Sequence, residues 1–188
     1  MIKKSFIFLL FVLFFSGTSF AFEFSADTIM TTEGVKTKGK IYYKADRFRM
    51  DMKDPEEMIT ITRIDKKVIW NIMPAEKMYM EMPFTLQNKP TVEDKFEGEI
   101  ERKHVGNETI DGHPTKKYLI TYKSGNKKEQ VYQWWATDIN FGIKTAAIDG
   151  SWIQEYKNVK IEPQPNSLFE LPAGYKKLQM PGGMHYRE

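Results

Sequence analysis

Along most of the chain apolar and polar residues alternate with period two, the pattern of strands whose two faces meet different surroundings. Residues 22–27, FEFSAD, begin it, and Glu33-Gly34 reads as the turn that follows. Residues 38–44, KGKIYYK, make a second strand, and Ala45-Asp46 begins a tight connection to residues 47–52, RFRMDM. In that strand Phe48, Met50 and Met52 share one face, and Arg47, Arg49 and Asp51 the other. Residues 58–64, MITITRI, and 67–73, KVIWNIM, flank Asp65-Lys66, a predicted two-residue hairpin turn. Pro74-Ala75-Glu76 reads as the next turn. It leads into residues 78–82, MYMEM, with three methionines on one side and Tyr79 and Glu81 on the other.

Residues 84–99 are the least strand-like part of the chain, polar and interrupted by Pro90. They are predicted to form a long loop with a short helix or helical turn, a candidate lid. Strands resume over residues 101–109, 115–122, 129–137, 141–148 and 151–161. Their turns are predicted at Asp111-Gly112-His113-Pro114, Ser124-Gly125-Asn126-Lys127 and Asp149-Gly150. Residues 163–176 show no regular period, and the last residues, from 176 to 188, read as a loose tail. The expectation is a mainly β protein of about 10–11 strands, spaced roughly 8 to 12 residues apart. Short connections make sequence neighbours spatial neighbours, so the strands should form an antiparallel meander that curls on itself. Trp134 and Trp135 must then point to opposite faces of their strand.

The first 21 residues break this pattern. Lys3 and Lys4 precede an unbroken apolar run over residues 6–15, and Ser19-Phe20-Ala21 places small residues where a signal peptidase reads. These features predict a secretory signal peptide removed after Ala21, a single β-domain over residues 22–188, and a periplasmic location. The run is shorter than the roughly 20 residues that span a bilayer. The whole chain carries a formal charge of +3, and removal of Lys3 and Lys4 leaves +1, with Lys and Glu interspersed. That balance gives no nucleic-acid signal. The chain has no cysteine, which excludes disulfides, thiolate metal sites and acylation on an N-terminal Cys.

No catalytic pattern stands out. His104, His113 and His185 are not spaced to chelate zinc, no serine occupies a nucleophile elbow, and no glycine-rich loop precedes a helix. The reading is therefore non-enzymatic, with no cofactor and no metal. A solvated surface role is expected for His113. The compositional feature that stands apart is 14% aromatic residues together with 11 methionines. Phe48, Met50, Met52, Met78, Met80 and Met82 are candidate lining for an apolar ligand, with Trp70 and Trp135 added. Methionine is flexible and polarizable, which suits a surface that must fit varied apolar shapes. By residue type alone the same side chains could equally pack a closed core. Cu(I) capture by thioethers is a weaker third reading, because no His or Cys lies near the Met-x-Met strands.

Several motifs occur in an order that resembles a known family. Gly106-Asn107-Glu108 and Ile110-Asp111-Gly112-His113-Pro114-Thr115, closing on Tyr118, are similar to a hairpin of LolA-like periplasmic proteins. Trp134-Trp135-Ala136 with Asp138 and Phe141-Gly142-Ile143-Lys144 resembles a second element of that family. Asn158-Val159, Leu168-Phe169-Glu170-Leu171-Pro172 and Gly174-Tyr175 resemble its closing segment, and Gly39-Lys40-Ile41 with Arg47-Phe48-Arg49-Met50 an early strand pair. The resemblance is to the LolA/LolB-like lipoprotein-carrier superfamily, in an outer-membrane lipoprotein-sorting-like branch. It implies a half-open antiparallel β-barrel with an apolar concave face under a lid. It also implies a lipid or lipoprotein acyl chain as partner, transient membrane contact, and no catalysis. The rival expectation is an envelope interaction or sensor domain that uses the same fold to bind a protein partner.

Overall fold

The structure, a computed structural model, describes residues 22–53, 56–85, 96 and 98–179. The predicted signal peptide and most of the predicted lid lie outside the described residues.

Six strands follow one another from the start of the described chain: β1 (Glu23–Thr32), β2 (Val35–Lys44), β3 (Arg47–Met52), β4 (Met58–Arg63), β5 (Val68–Met73) and β6 (Met78–Pro83). Five more form a second meander: β7 (Glu99–Ile110), β8 (His113–Ser124), β9 (Lys127–Ala136), β10 (Phe141–Ala147) and β11 (Trp152–Ile161). A 3-10 turn at Asn166–Phe169 and a two-residue β12 (Lys176–Lys177) follow. All twelve belong to one sheet, ordered β12-β6-β5-β4-β3-β2-β1-β11-β10-β9-β8-β7. The two meanders meet where β1 pairs with β11. Residues 84–98 therefore connect strands near opposite ends of the sheet.

Every pairing is antiparallel except that of β12 with β6. β12 and β7 end the sheet without meeting, so the sheet is open, as the half-open barrel expectation required. The twelfth strand lies at the start of the segment read as a loose tail, which is paired to β6 there. Lys176 donates its N–H to the Lys77 carbonyl at 3.0 Å, and Leu178 to that of Tyr79 at 2.8 Å.

The hairpins are set by local backbone chemistry. Glu33-Gly34 and Asp111-Gly112 both hold positive φ, 50° and 82° in the first pair, 50° and 84° in the second. Two successive left-handed residues match the twist of antiparallel strands, and glycine takes the second position without a Cβ clash. The second turn is shorter than its sequence suggested. His113 and Pro114 belong to β8, opposite Ile110 and Thr109, and the Pro114 carbonyl accepts the Thr137 N–H at 3.0 Å. His113 stays at the surface, its Nδ1 2.8 Å from Asp138 Oδ2. That contact holds the Asp138 carboxyl below the usual carboxylate range.

One turn decides which residues share a face. A turn limited to Pro74-Ala75-Glu76 would set Trp70 opposite Met80. Instead Lys77 joins it with φ 52°, so Met73 pairs with Met78 and Trp70 with Glu81. A one-residue difference moves every side chain of the later strand to the other face. Trp70 therefore lies on the side opposite the methionines.

Two apolar clusters occupy the two sides. Phe24, Ala26, Ile41, Phe48, Phe141, Ile143 and Tyr156 pack where the meanders meet, with the Phe24 and Phe141 rings 4.5 Å apart. Burial pushes the Tyr156 hydroxyl pKa up to about 12. On the other side of β4 and β5, Ile61, Trp70 and Ile72 pack under Phe169 from the C-terminal segment, joined by Leu168, Leu171 and Tyr175.

Candidate functional site

Unbroken register from β1 to β6 extends the alternation of each strand across the half-sheet. One row runs Phe24, Tyr43, Phe48, Thr62, Ile69, Met82. The next runs Ala26, Ile41, Met50, Thr60, Asn71, Met80. In the third, Thr28, Gly39, Met52 and Met58 align, and Met73 pairs with Met78 beyond them. Met30 stands on the same side of β1. All eight methionines among the described residues thus share one face of the sheet.

That face is neither sealed nor bare. Met50, Met52, Met73, Met78, Met80 and Met82 are half-buried, while Met30 and Met58 are 37% and 42% exposed. Phe48 is fully packed in the cluster at the seam, with Met50 against it. The Thr60 hydroxyl donates to Asn71 Oδ1 at 2.9 Å, one polar contact within the methionine rows. Gly39 makes room for one of the thioethers. A Cβ at this position would stand 2.5 Å from Met52 Sδ and 2.5 Å from the Asp51 carbonyl oxygen. The backbone oxygen cannot yield as a side chain can. Gly39→Ala is expected to destabilise the fold by about 1–3 kcal/mol through overpacking and to displace Met52. Chemical denaturation checks the first effect, and the Met52 methyl resonance checks the second.

Over β4 and β5 the reverse side is covered by the chain itself. The buried Arg63 guanidinium bonds Asp65 at 2.7 and 2.6 Å, the Phe169 carbonyl at 3.1 Å, and the Glu170 carboxylate. Arg49 donates to the Leu168 carbonyl at 3.0 Å and grips Asp51 at 2.6 and 3.1 Å. Trp70 donates its indole N–H to Glu81 at 3.1 Å. It is buried, bonded and covered on this side, so it does not join the methionine rows. Trp135 stands on β9 beyond the seam, half-buried, with its indole N–H on Asn140 at 3.3 Å. Its neighbour Trp134 is buried, bonds Glu108, and lies between the Lys117 and Lys144 ammonium groups at 4.6 and 4.9 Å. Of the predicted site residues, the structure brings together Phe48, Met50, Met52, Met78, Met80 and Met82. It adds Met30, Met58 and Met73, whose side only the strand register reveals.

The tail anchor carries a pH dependence. Hydrogen bonds from Arg63 hold the Asp65 carboxyl below its ordinary range. Burial alone would raise Glu170, but bonds from Lys66 and Arg63 outweigh it and hold that group low as well. Depressed carboxylates contribute stability that is complete above their unfolded values, about 4. It is lost as pH falls through the lower folded values. Thermal melts from pH 6 to pH 2 should show stability falling below about pH 4, with a smaller fall in Asp65→Asn.

The arrangement defines a class: an open, mostly antiparallel β half-barrel with one face partly covered by its own tail and the other lined by half-buried methionines. The chain belongs to the family described as Domain of unknown function (DUF4412), which matches residues 22–140. No curated protein matches it. Among solved structures it is similar to a crystal structure of MucB, with TM-score 0.56 and 11% identity over 81% of this chain and 58% of that one. It is similar also to the Pseudomonas aeruginosa MucA/MucB complex, with TM-score 0.51 and 11% identity over 78% and 54%. The chain thus spans little more than half the length of the MucB chains it matches. The LolA superfamily protein NE2245 from Nitrosomonas europaea matches with TM-score 0.38 and 10% identity, over 80% of this chain and 90% of that one. The likeness to MucB, at 11% identity, is one of fold. Among the described residues no helix is long and apolar enough to cross a membrane, and no cluster of three His, Cys, Asp or Glu could hold a metal ion.

Proposed function

We propose that this protein is an exported, periplasmic binding protein that holds a lipid or lipoprotein acyl chain on its methionine face, without catalysis. One observation supports this reading above the others: all eight described methionines lie on a single face and six of them are half-buried, while on the opposite face residues 168–175 cover the Ile61, Trp70 and Ile72 cluster. An acyl chain laid along the rows gains about 0.8 kcal/mol per buried CH₂, and flexible thioethers adjust to chains of different length. In this reading the signal peptide is removed after Ala21. Residues 22–188 act as one unit that receives its cargo reversibly and passes it on.

The test is native mass spectrometry of protein purified from a periplasm, followed by titration with a fluorescent fatty acid. The expected result is a bound lipid mass and saturable fluorescence. Protein that carries no lipid and leaves the probe unbound would overturn the reading.

A second reading is favoured by the sheet edge. Among the described residues no strand pairs with the outer side of β7, and Ile100 and Val105 are 53% and 43% exposed. An extended segment of an envelope protein could add to such an edge. A similar structure is of MucB in complex with MucA(peri). This reading predicts a protein partner that stays bound after delipidation.

A further inference from the structure

A cleft of about 580 Å³ opens over β1, β2, β3 and β11, on the side facing away from the methionine rows. Its polar lining is Lys38, Lys40, Lys53 and Lys157 with Asp27 and Asp51, over the Tyr42 ring. Strand register sets Lys40 beside both Asp27 and Asp51, and Lys157 beside Asp27. That alternation would serve neutral cross-strand ion pairs. None of them forms. Asp27 accepts the Asn158 side-chain N–H at 2.8 Å, and Asp51 is gripped by Arg49. The Lys40 ammonium stands 5.6 Å from the centre of the Tyr42 ring. Among the described residues neither Lys38, Lys53 nor Lys157 makes an ion pair.

We infer that this cleft is a binding site for a phosphate-type polyanion. Four lysines line one concavity, and its two carboxylates bond Asn158 and Arg49 rather than those lysines. A multiply charged anion can meet several such point charges at once, whereas a single carboxylate cannot. The volume lies within the range of small-ligand sites. The phosphate can be free or carried on a lipid headgroup. The second source is in reach, because Val35, three residues along β2 from Lys38, is 70% exposed at the end of its hairpin. The site is separate from the methionine face and stands or falls independently of it.

The experiment compares the wild type with Lys38→Gln/Lys40→Gln/Lys157→Gln and with Lys123→Gln/Lys127→Gln/Lys128→Gln. The second triple loses the same charge from the exposed end of the β8–β9 hairpin. Pyrophosphate binding is read by calorimetry at low salt. Vesicle binding is read by co-sedimentation with phosphatidylglycerol, against phosphatidylcholine. The groove triple should weaken pyrophosphate binding at least about tenfold, with the control triple close to wild type. Loss of phosphatidylglycerol binding in the groove triple as well assigns the phosphate to a lipid headgroup; loss of pyrophosphate binding alone assigns it to a free phosphate. No binding of either probe by the wild type, or equal losses in both triples, overturns the site. Fluorescent fatty-acid binding should persist in the groove triple, which separates failure here from failure of the acyl-chain reading.

Discussion

Met52→Asp/Met80→Asp is expected to bind a fluorescent fatty acid at least about 100-fold more weakly than the wild type while keeping its β-sheet circular dichroism. Both positions are half-buried on the methionine face, in adjacent rows. A carboxylate there must lose water when an acyl chain covers it, and an uncompensated buried charge costs several kcal/mol. Neither side chain belongs to the two packed clusters, so the sheet should tolerate the change. Met52→Leu/Met80→Leu conserves volume and apolarity and should stay within a few-fold of wild type. Trp70→Phe acts on the opposite face and should leave affinity unchanged. If the aspartate variant binds as well as the wild type, the ligand does not lie on these rows.

The second large effect concerns the covered face. Arg63→Met removes a guanidinium that joins β4 to the C-terminal segment through Glu170 and the Phe169 carbonyl. Breaking a buried ion pair by removing one partner costs about 3–5 kcal/mol. Two features moderate that figure. Glu170 is half exposed and keeps Lys66 at 2.9 Å, and Asp65 keeps Arg47 at 3.6 Å. A loss of about 2–3 kcal/mol is expected, which lowers Tm by roughly 4–12 °C in a chain of this size. Phe169 should loosen over Trp70, so tryptophan fluorescence should shift red before global unfolding. Adding Glu170→Gln should cost less than the sum of the single changes, because both report on one contact. An unchanged melting temperature would show that the ion pairs do not hold the tail.

The two strands RFRMDM and MYMEM were legible because alternation within a strand is fixed by the pleat. The hairpin at Asp65-Lys66 was legible in effect: four residues, 64–67, turn instead of two, but Arg63 still faces Val68, as a two-residue turn would require. What alternation cannot give is the phase between strands. That phase depended on Lys77 entering the turn before β6, and it separated Trp70 from Met80. The bulge between Gly142 and Lys144 hides the phase of Trp135 in the same way. The partnership of Arg63 with Phe169 spans 106 residues of sequence, and no local pattern announces a contact over that distance. The lysine cleft was invisible for a related reason. Interspersed Lys and Asp read as an ordinary solvated surface until the register shows which charges have found partners.

Gathering the methionines on one half-buried face has a chemical consequence. Oxidants convert each thioether to a polar sulfoxide, and reductases convert it back. In a protein whose sulfur is scattered through a core, such damage falls on isolated points. Here Met30 and Met58 are open to solvent, and their neighbours in the rows lie just behind them. Peroxide or hypochlorite would therefore turn the whole surface hydrophilic in stages, without breaking a strand.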